Sequence, residues 1–503
     1  MRIAVIGGGP GGLYFAALAK QLGPEHEITV WERNAADDTF GFGVVFSDET
    51  LGGIEHADPA IHDAMTAEFA RWDDIDVHFA GEVITSGGHG FAAMNRKRLL
   101  QILQQRCAVL GVDVRFSTSA PDVGQLQGSY DLVVAADGLN SAVRTRYADT
   151  FGPTLDERDC KYMWLGTSRV FDAFKFYVRD TPHGVMQIHG YPYDAHGSTF
   201  IVEMNSQVWR DAGFGEFADD DYAPGESDDR SVKRVTELFD DVLGGHEVLA
   251  NNSRWISFTT VRNERWVHDN VVLLGDAAHT AHFSIGSGTK LAMEDALSLA
   301  ACLHEARTGS GVELPAALAA YETERKAVVQ STQRAAQASL EWFENLGQYT
   351  HQDPVQFAFN IITRSRRVTY DNLRVRDPEF VDRVDAWFAG HERARGVAPG
   401  DVRPPMFQPF RLRTPRGGGL ELQNRVVVSP MDMYKAVDGM PDDFHFAHLG
   451  GKALGSPGLV MTEMVCVSPE GRITPGCTGL WTDEQAAGWR RITDFVHAET
   501  NTR

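Results

Sequence analysis

Three glycines among the first twelve residues limit what this chain can become. Gly7, Gly9 and Gly12 stand in the spacing G-x-G-x-x-G, directly after the apolar run 3–6 and at the opening of an apolar helical segment, 13–22. A short apolar run of this kind reads as a buried parallel strand, and strand, glycine turn and helix in that order read as a dinucleotide site. Each glycine has its own task. Gly7 permits the tight turn, Gly9 lets the backbone approach a pyrophosphate, and Gly12 lets helix and strand pack closely, while free N–H groups at the helix start face the phosphates. A second strand ends at Glu32, about twenty residues beyond the last glycine, where a carboxylate can accept hydrogen bonds from a ribose diol. A glycine-rich turn without a ligand accounts for the glycines alone, but not for strand, fingerprint, helix, strand and acid in sequence.

A chain of 503 residues with 43% hydrophobic content supplies apolar surface for more than one core-bearing domain. The strand follows Met1 almost at once, leaving no room for a signal peptide, and no apolar run reaches membrane-spanning length, so a cytoplasmic globular protein is expected, with no membrane partner. Cysteines at 107, 160, 302, 466 and 477 form no C-x-x-C and no Cys/His metal spacing, which suits a reducing compartment and implies no metal site. A formal charge of −22 repels phosphate polyanions and disfavours nucleic acid.

Further landmarks follow in order. The Gly-rich apolar stretch 40–46 can lay backbone against a flat ring or simply turn into a strand. Residues 95–103 have helical apolar spacing with arginines in the first turn, Arg96 among them, where they oppose the helix dipole and invite an anion; a solvated basic face is the alternative. A buried strand then ends in Asp137-Gly138, followed by a capping Ser141 and Arg144, and another ends in Gly275-Asp276-Ala-Ala-His279 before a helix that begins near Gly286 and Gly288. Asp276 at a strand end can hold a chain of hydroxyls, and the helix start after Gly288 can stabilise negative charge on a ring.

Those three strand ends, in that order, resemble the group A flavin-dependent aromatic hydroxylases over residues 1 to about 330. The resemblance implies an α/β protein: a Rossmann-like FAD-binding domain (1–160 and 255–330) and a mixed-sheet substrate domain of the p-hydroxybenzoate hydroxylase type (161–254). It implies FAD as cofactor, with Gly7, Gly9 and Gly12 on the pyrophosphate, Glu32 and the adjoining Arg33 at the adenosine ribose, Arg96 at the phosphates, and Asp276 on the ribityl or pyrophosphate side. Asp137 and Arg144 fall in the motif that serves both FAD and a passing nicotinamide; Gly286 and Gly288 fall at the ring. NADH or NADPH is the implied reductant. The chain departs from the usual pattern at Phe283, where proline is common, and at Lys290, where asparagine is common.

The stretch 279–295 and the segments 339–345 and 357–376 are similar to the aryl-CoA branch of these enzymes, the salicylyl-CoA 5-hydroxylases and anthraniloyl-CoA monooxygenases. A helical extension, 331–395, is implied. The His282-Phe283-Ser-Ile-Gly motif is shared with hydroxylases of free indole substrates, so it does not select the thioester by itself. His282 is the candidate acid or base near the ring; Lys290 can contact flavin or substrate or cap a helix, and Arg262 and Arg265 can meet thioester phosphates or solvent.

Beyond a Gly/Pro-rich linker, residues 396–503 resemble the start of an old yellow enzyme barrel, with strand-like runs at 422–428 and 458–464. About 250 residues make a (β/α)₈ barrel, so this is an incomplete barrel segment, and FMN chemistry from it is not expected, although Pro430, Met431 and Met464 match FMN-contacting positions. The expected activity is hydroxylation of an aromatic acyl-CoA by O₂. A hydroxylase of free aromatics and an inactive flavoprotein binding module are the alternatives, and a homo-oligomer is open.

Overall fold

The computed structural model describes residues 1–503 apart from 40, 47, 218–221, 223–224, 309–312, 395–402 and 414–417. The chain forms two compact units, Met1–Asp377 and Pro378–Arg503.

In the first unit the opening apolar run forms the strand Arg2–Ile6, fully buried at Ile3, Ala4 and Val5. It pairs in parallel with Glu27–Trp31 on one side and with Leu132–Ala135 on the other. Val271–Leu273 extends the sheet in parallel beside Leu132–Ala135. The described strands run in the order Val267–His268, Val271–Leu273, Leu132–Ala135, Arg2–Ile6, Glu27–Trp31, Asp113–Arg115. Three strands that carry sequence motifs at their ends are therefore immediate neighbours. The helix Pro10–Leu22 packs on this sheet and against the helix Gly288–Thr308; a Cβ on Gly11 would come within 2.6 Å of Leu274, so only glycine lets them close.

A second, larger sheet has the order Val248–Leu249, Pro153–Thr167, Ser198–Met204, Gly184–Pro192, Phe174–Thr181, Ile75–Phe79, Glu82–Ser86, with Ile256–Asn263 also paired to Pro153–Thr167. Alternation along each strand divides its two faces. Met163, Leu165, Met186, Ile188, Phe200 and Val202 form one face and pack with the helices Ser206–Asp211 and Asp229–Leu238. The registers Tyr162↔Glu203, Gln187↔Glu203 and His189↔Ile201 put Tyr162, Trp164, Glu203, Gln187 and His189 together on the other face. A small sheet of Gly43–Phe46, Phe91–Asn95 and Ala70–Trp72 lies nearby in the chain, and the helices Leu314–Glu344, Pro354–Thr363 and Tyr370–Arg376 follow.

The second unit holds the helix Pro378–Ala394, a hairpin of Phe410–Arg413 with Gly419–Leu422, and two parallel strand pairs, Val427–Val428 with Leu459–Val460 and Val465–Cys466 with Thr478–Gly479. The helices Asp443–Leu454 and Asp483–Glu499 pack through Leu449, Trp489 and Ile492. Parallel pairs alternating with helices are the local grammar of a (β/α) barrel, and no closed barrel forms among the described residues.

Candidate functional site: a glycine cradle beside a buried polar row

The turn after the first strand leaves no room for side chains except where a ligand would need the room. Gly7 has φ +107°, and a Cβ there would sit 2.2 Å from the Ala136 carbonyl oxygen; a Cβ on Gly12 would sit 2.2 Å from the carbonyl oxygen of Gly7. A Cβ on Gly9 meets nothing within 4 Å. Gly9 is also the N-cap of the helix Pro10–Leu22 and gives it no side-chain cap, so the helix start keeps its amide groups available to an anion. Glu32 directly follows the second strand, with Oε2 accepting from the amide of Gly8 at 2.8 Å and Oε1 from the amide of Asn34 at 2.8 Å, which holds the acid at the turn with acceptor capacity left over. Arg33 beside it is exposed.

The next two strand ends meet through Arg144. Its backbone amide is capped by Ser141 Oγ at 3.0 Å, and its buried guanidinium donates to the carbonyl of Ala277 at 3.0 Å and to that of Leu139. Asp137 accepts from the amide of Val143 at 3.3 Å through Oδ2, while its Oδ1 is buried with no hydrogen-bond partner. Arg96 opens the helix Arg96–Leu110, donates its amide to Phe42 O at 2.7 Å and reaches Thr289 Oγ1 at 3.4 Å, tying the 41–46 stretch to the start of the helix Gly288–Thr308. Phe40 lies outside the described residues. Asp276 is accessible at its surface yet crowded by protein, which raises its pKa by desolvation, while His279, Arg96 and Arg144 pull it back. Desolvation lowers Arg96 and Arg144 in turn, with Asp276 opposing in both. The glycine turn, an orphaned buried carboxylate oxygen and two partly desolvated arginines facing an acid fit a dinucleotide with a pyrophosphate and a hydroxylated chain.

Gly286, at φ +63°, terminates the short turn Phe283–Ile285, and a Cβ on Gly288 would meet nothing within 4 Å. Lys290 pairs with Glu294 at 3.6 Å along its own helix. Arg262 and Arg265 are exposed near the strand Ile256–Asn263 and its end. Phe283 lies against Tyr162 at 4.6 Å and Trp164 at 5.6 Å between ring centroids, so the residue that replaces the customary proline becomes part of an aromatic wall.

His282 is 1% exposed. Its Nδ1 meets Ser284 Oγ at 2.8 Å and its Nε2 stands 3.4 Å from Glu203 Oε1. Glu203, fully buried, also accepts from His189 Nε2 at 2.9 Å and Gln187 Nε2 at 2.7 Å. Burial alone would raise its pKa; the two histidines outweigh that and hold it at about 2. Arg364 lies over the rings of Phe176 and Phe343, and burial brings it down to about 9. A second buried carboxylate, Asp295, accepts from His279 at 2.7 Å and Arg325 at 2.8 Å and from the amide of Gly275 at 3.1 Å, anchoring the strand end that presents Asp276. Glu203, His189, Arg364, Asp295 and Arg325 escape a motif reading, and the one signal for them is a charged residue inside an apolar run, as at Glu203 in 199–204.

Residues 1–336 match the FAD binding domain family. This chain belongs to that family. It is an FAD-dependent aromatic monooxygenase. Its relatives include a salicyloyl-CoA 5-hydroxylase of a Streptomyces species, 44% identical over 442 residues that cover 87% of this chain and 81% of that one. A 3-hydroxy-4-methyl-anthranilyl-[aryl-carrier protein] 5-monooxygenase of Streptosporangium sibiricum is 39% identical, covering 69% of this chain and 90% of that one. The protodeoxyviolaceinate monooxygenase of Chromobacterium violaceum is 32% identical over 73% of this chain and 95% of its own. Among solved structures the fold is shared with 2-methyl-3-hydroxypyridine-5-carboxylic acid oxygenase in its tetrameric form, at a TM-score of 0.55 and 22% identity, covering 74% of this chain and 97% of that one. Residues 405–502 of the flavoprotein match the NADH:flavin oxidoreductase / NADH oxidase family, and an NADPH dehydrogenase of Bacillus pumilus is 40% identical there over 27% of its own length. Among the described residues no helix is long and apolar enough to cross a membrane.

Proposed function

We propose that this monooxygenase hydroxylates an ortho-substituted benzoyl thioester, of the salicylyl-CoA or anthraniloyl-CoA type, at the position para to the hydroxyl or amino group, with NADH or NADPH as reductant and O₂ as oxidant. The observation that carries this reading is the 44% identity over 442 residues to the salicyloyl-CoA 5-hydroxylase. The anthranilyl carrier-protein relative supports it, since its named substrate is again an aromatic acyl group and its named position is again 5. Five free cysteines and a reductant of the nicotinamide class fit a cytoplasmic setting.

When bound, FAD supplies the storage of reducing equivalents and the activation of oxygen. The chain supplies grip and orientation. Gly7, Gly9 and Gly12 with the open helix start would hold the pyrophosphate, Glu32 the adenosine ribose with Arg33 alongside, and Arg96, Arg144, Asp137 and Asp276 the phosphate and ribityl portions. Backbone at Gly286 and Gly288 would hold the ring. Phe283, Tyr162 and Trp164 exclude water and align the aromatic substrate. His282 acts on this region through Ser284 and Glu203, its two partners. The segment 405–502 spans about a quarter of the NADPH dehydrogenase that it matches, and FMN has no part in the proposed reaction.

The test is NADH oxidation by FAD-loaded protein with salicylyl-CoA and with anthraniloyl-CoA, each against its free acid, followed by mass analysis. A thioester-dependent gain of one oxygen is expected. No stimulation by either thioester, with FAD bound and reducible, sinks the assignment. Stimulation by a free indole or aromatic acid alone would favour the second reading, a hydroxylase of free aromatics, which the 32% identity to the protodeoxyviolaceinate monooxygenase supports.

A further inference from the structure

A line of hydrogen bonds runs from the segment after the helix Pro354–Thr363 into the large sheet. Arg364 Nε donates to Ser339 Oγ at 2.9 Å, Ser339 Oγ and Ser284 Oγ are 2.7 Å apart, and Ser284 Oγ lies 2.8 Å from His282 Nδ1. The backbone amide of Ser284 also donates to His282 Nδ1, at 3.4 Å, so the imidazole caps the turn Phe283–Ile285. A backbone N–H can only donate, so Nδ1 must be an unprotonated acceptor. Every other proton follows. Ser284 donates to His282, Ser339 donates to Ser284, and the remaining ring proton of His282 sits on Nε2, 3.4 Å from Glu203 Oε1. Glu203 Oε2 takes the protons of His189 Nε2 and Gln187 Nε2. Arg364 additionally donates to the carbonyl of Ser284 at 2.7 Å, so the turn is gripped at both its amide and its carbonyl.

We propose that Glu203 is a positioning residue for hydroxylation: as a buried anion it selects the Nε2–H tautomer of His282, whose Nδ1 then caps the turn that holds Phe283 against Tyr162 and Trp164. The inference rests on the proposed hydroxylase reading and deepens it, because it makes the aromatic wall of the ring site depend on a carboxylate that touches no substrate. In Glu203→Gln the amide oxygen stays with the two donors that Oε2 serves, His189 and Gln187, so the amide N–H faces His282. The ring proton of His282 then moves to Nδ1, the cap on Ser284 is lost, and the turn loosens.

Two measurements test this. Long-range ¹H–¹⁵N spectra of histidine-labelled protein report tautomers directly, the His282 signal being assigned by its absence from His282→Asn. An Nε2–H tautomer with an acceptor Nδ1 at pH 7 is expected; a protonated Nδ1 overturns the proposal. This reading needs no substrate, so failure of the parent protein to hydroxylate the thioester would count against the function and not against the network. In FAD-loaded Glu203→Gln, salicylyl-CoA hydroxylated per NADH consumed should fall by up to about a hundredfold, the order that a misplacement of about 1 Å produces. Hydrogen peroxide should make up the difference, with FAD still bound. Adding His282→Asn, whose side chain caps the turn without choosing a tautomer, should recover a large part of the lost coupling. Coupling unchanged in Glu203→Gln, or no recovery in the double variant, overturns the proposal. Should Glu203→Gln fail to fold, the tautomer of the parent protein decides.

Discussion

Gly9 and Gly12 stand three residues apart and face opposite surroundings, one open space and the other the Gly7 carbonyl at 2.2 Å. Substitution by alanine separates ligand grip from folding. Gly9→Ala should leave stability within about 0.5 kcal/mol, as for surface changes, yet weaken FAD in a fluorescence titration. Gly12→Ala should destabilise the apoprotein by about 1–3 kcal/mol, because backbone must move to admit a methyl group. Equal stability of the two would refute the cradle geometry. Asp295 makes a different demand. It joins His279, Arg325 and the amide of Gly275 in the interior, so Asp295→Asn takes from Arg325 one of its two carboxylates, Glu294 at 3.1 Å being the other, and should cost about 1.5–3 kcal/mol in urea unfolding. The turn at Gly7, Gly9 and Gly12 was legible in the sequence because its geometry depends on neighbours a few residues away. Asp295 was not, because its meaning lies in Arg325, thirty residues on, and Glu203 waits on Arg364 and two histidines from other elements.

Elements are held in place by a few such pairs. The strand Pro153–Thr167 shifts register between Glu157 and Lys161, and there Arg158 grips Glu344, the last residue of the helix Leu314–Glu344, through both carboxylate oxygens at 3.0 and 2.7 Å. Glu344→Ala should cost about 1–3 kcal/mol, the range for hydrogen bonds between charged groups with little exposure; a loss below about 0.5 kcal/mol would mean that the strand is held by packing alone. Strands ending in Asp137 and Asp276 could be read from apolar runs closed by a turn residue. Pairing could not: the row of Glu203, Gln187 and His189 exists only through the register of Ser198–Met204 on Gly184–Pro192, which period-two alternation permits but does not select.

Across the molecule, desolvated histidines contribute to the response to acid. Burial, with Arg376 adding, brings His89 from 6.5 down to about 4, and burial lowers His189 as well. The folded chain therefore binds fewer protons than the unfolded chain as pH falls through 6.5 toward 4, and stability declines over that window. Below 4.5, Glu203 adds to the decline, since it stays ionised in the fold down to about 2. Calorimetry should show a Tm that rises from pH 4 to 7 and then levels, with a shallower rise in His89→Asn; a flat profile would contradict the burial of these rings.

The parallel pairing of Leu132–Ala135 with Val271–Leu273 has a consequence for how such a chain diversifies. Everything between them, six of the eight strands of the large sheet and the helices Ser206–Asp211 and Asp229–Leu238 included, leaves and rejoins the nucleotide sheet at points one strand spacing apart, about 4.8 Å. The intervening 135 or so residues behave as a cassette clipped between two fixed posts. On the proposed function, exchange of the cassette would change the surface offered to the substrate, while the posts, with Asp137 and Asp276 just beyond their ends, would keep the coenzyme site.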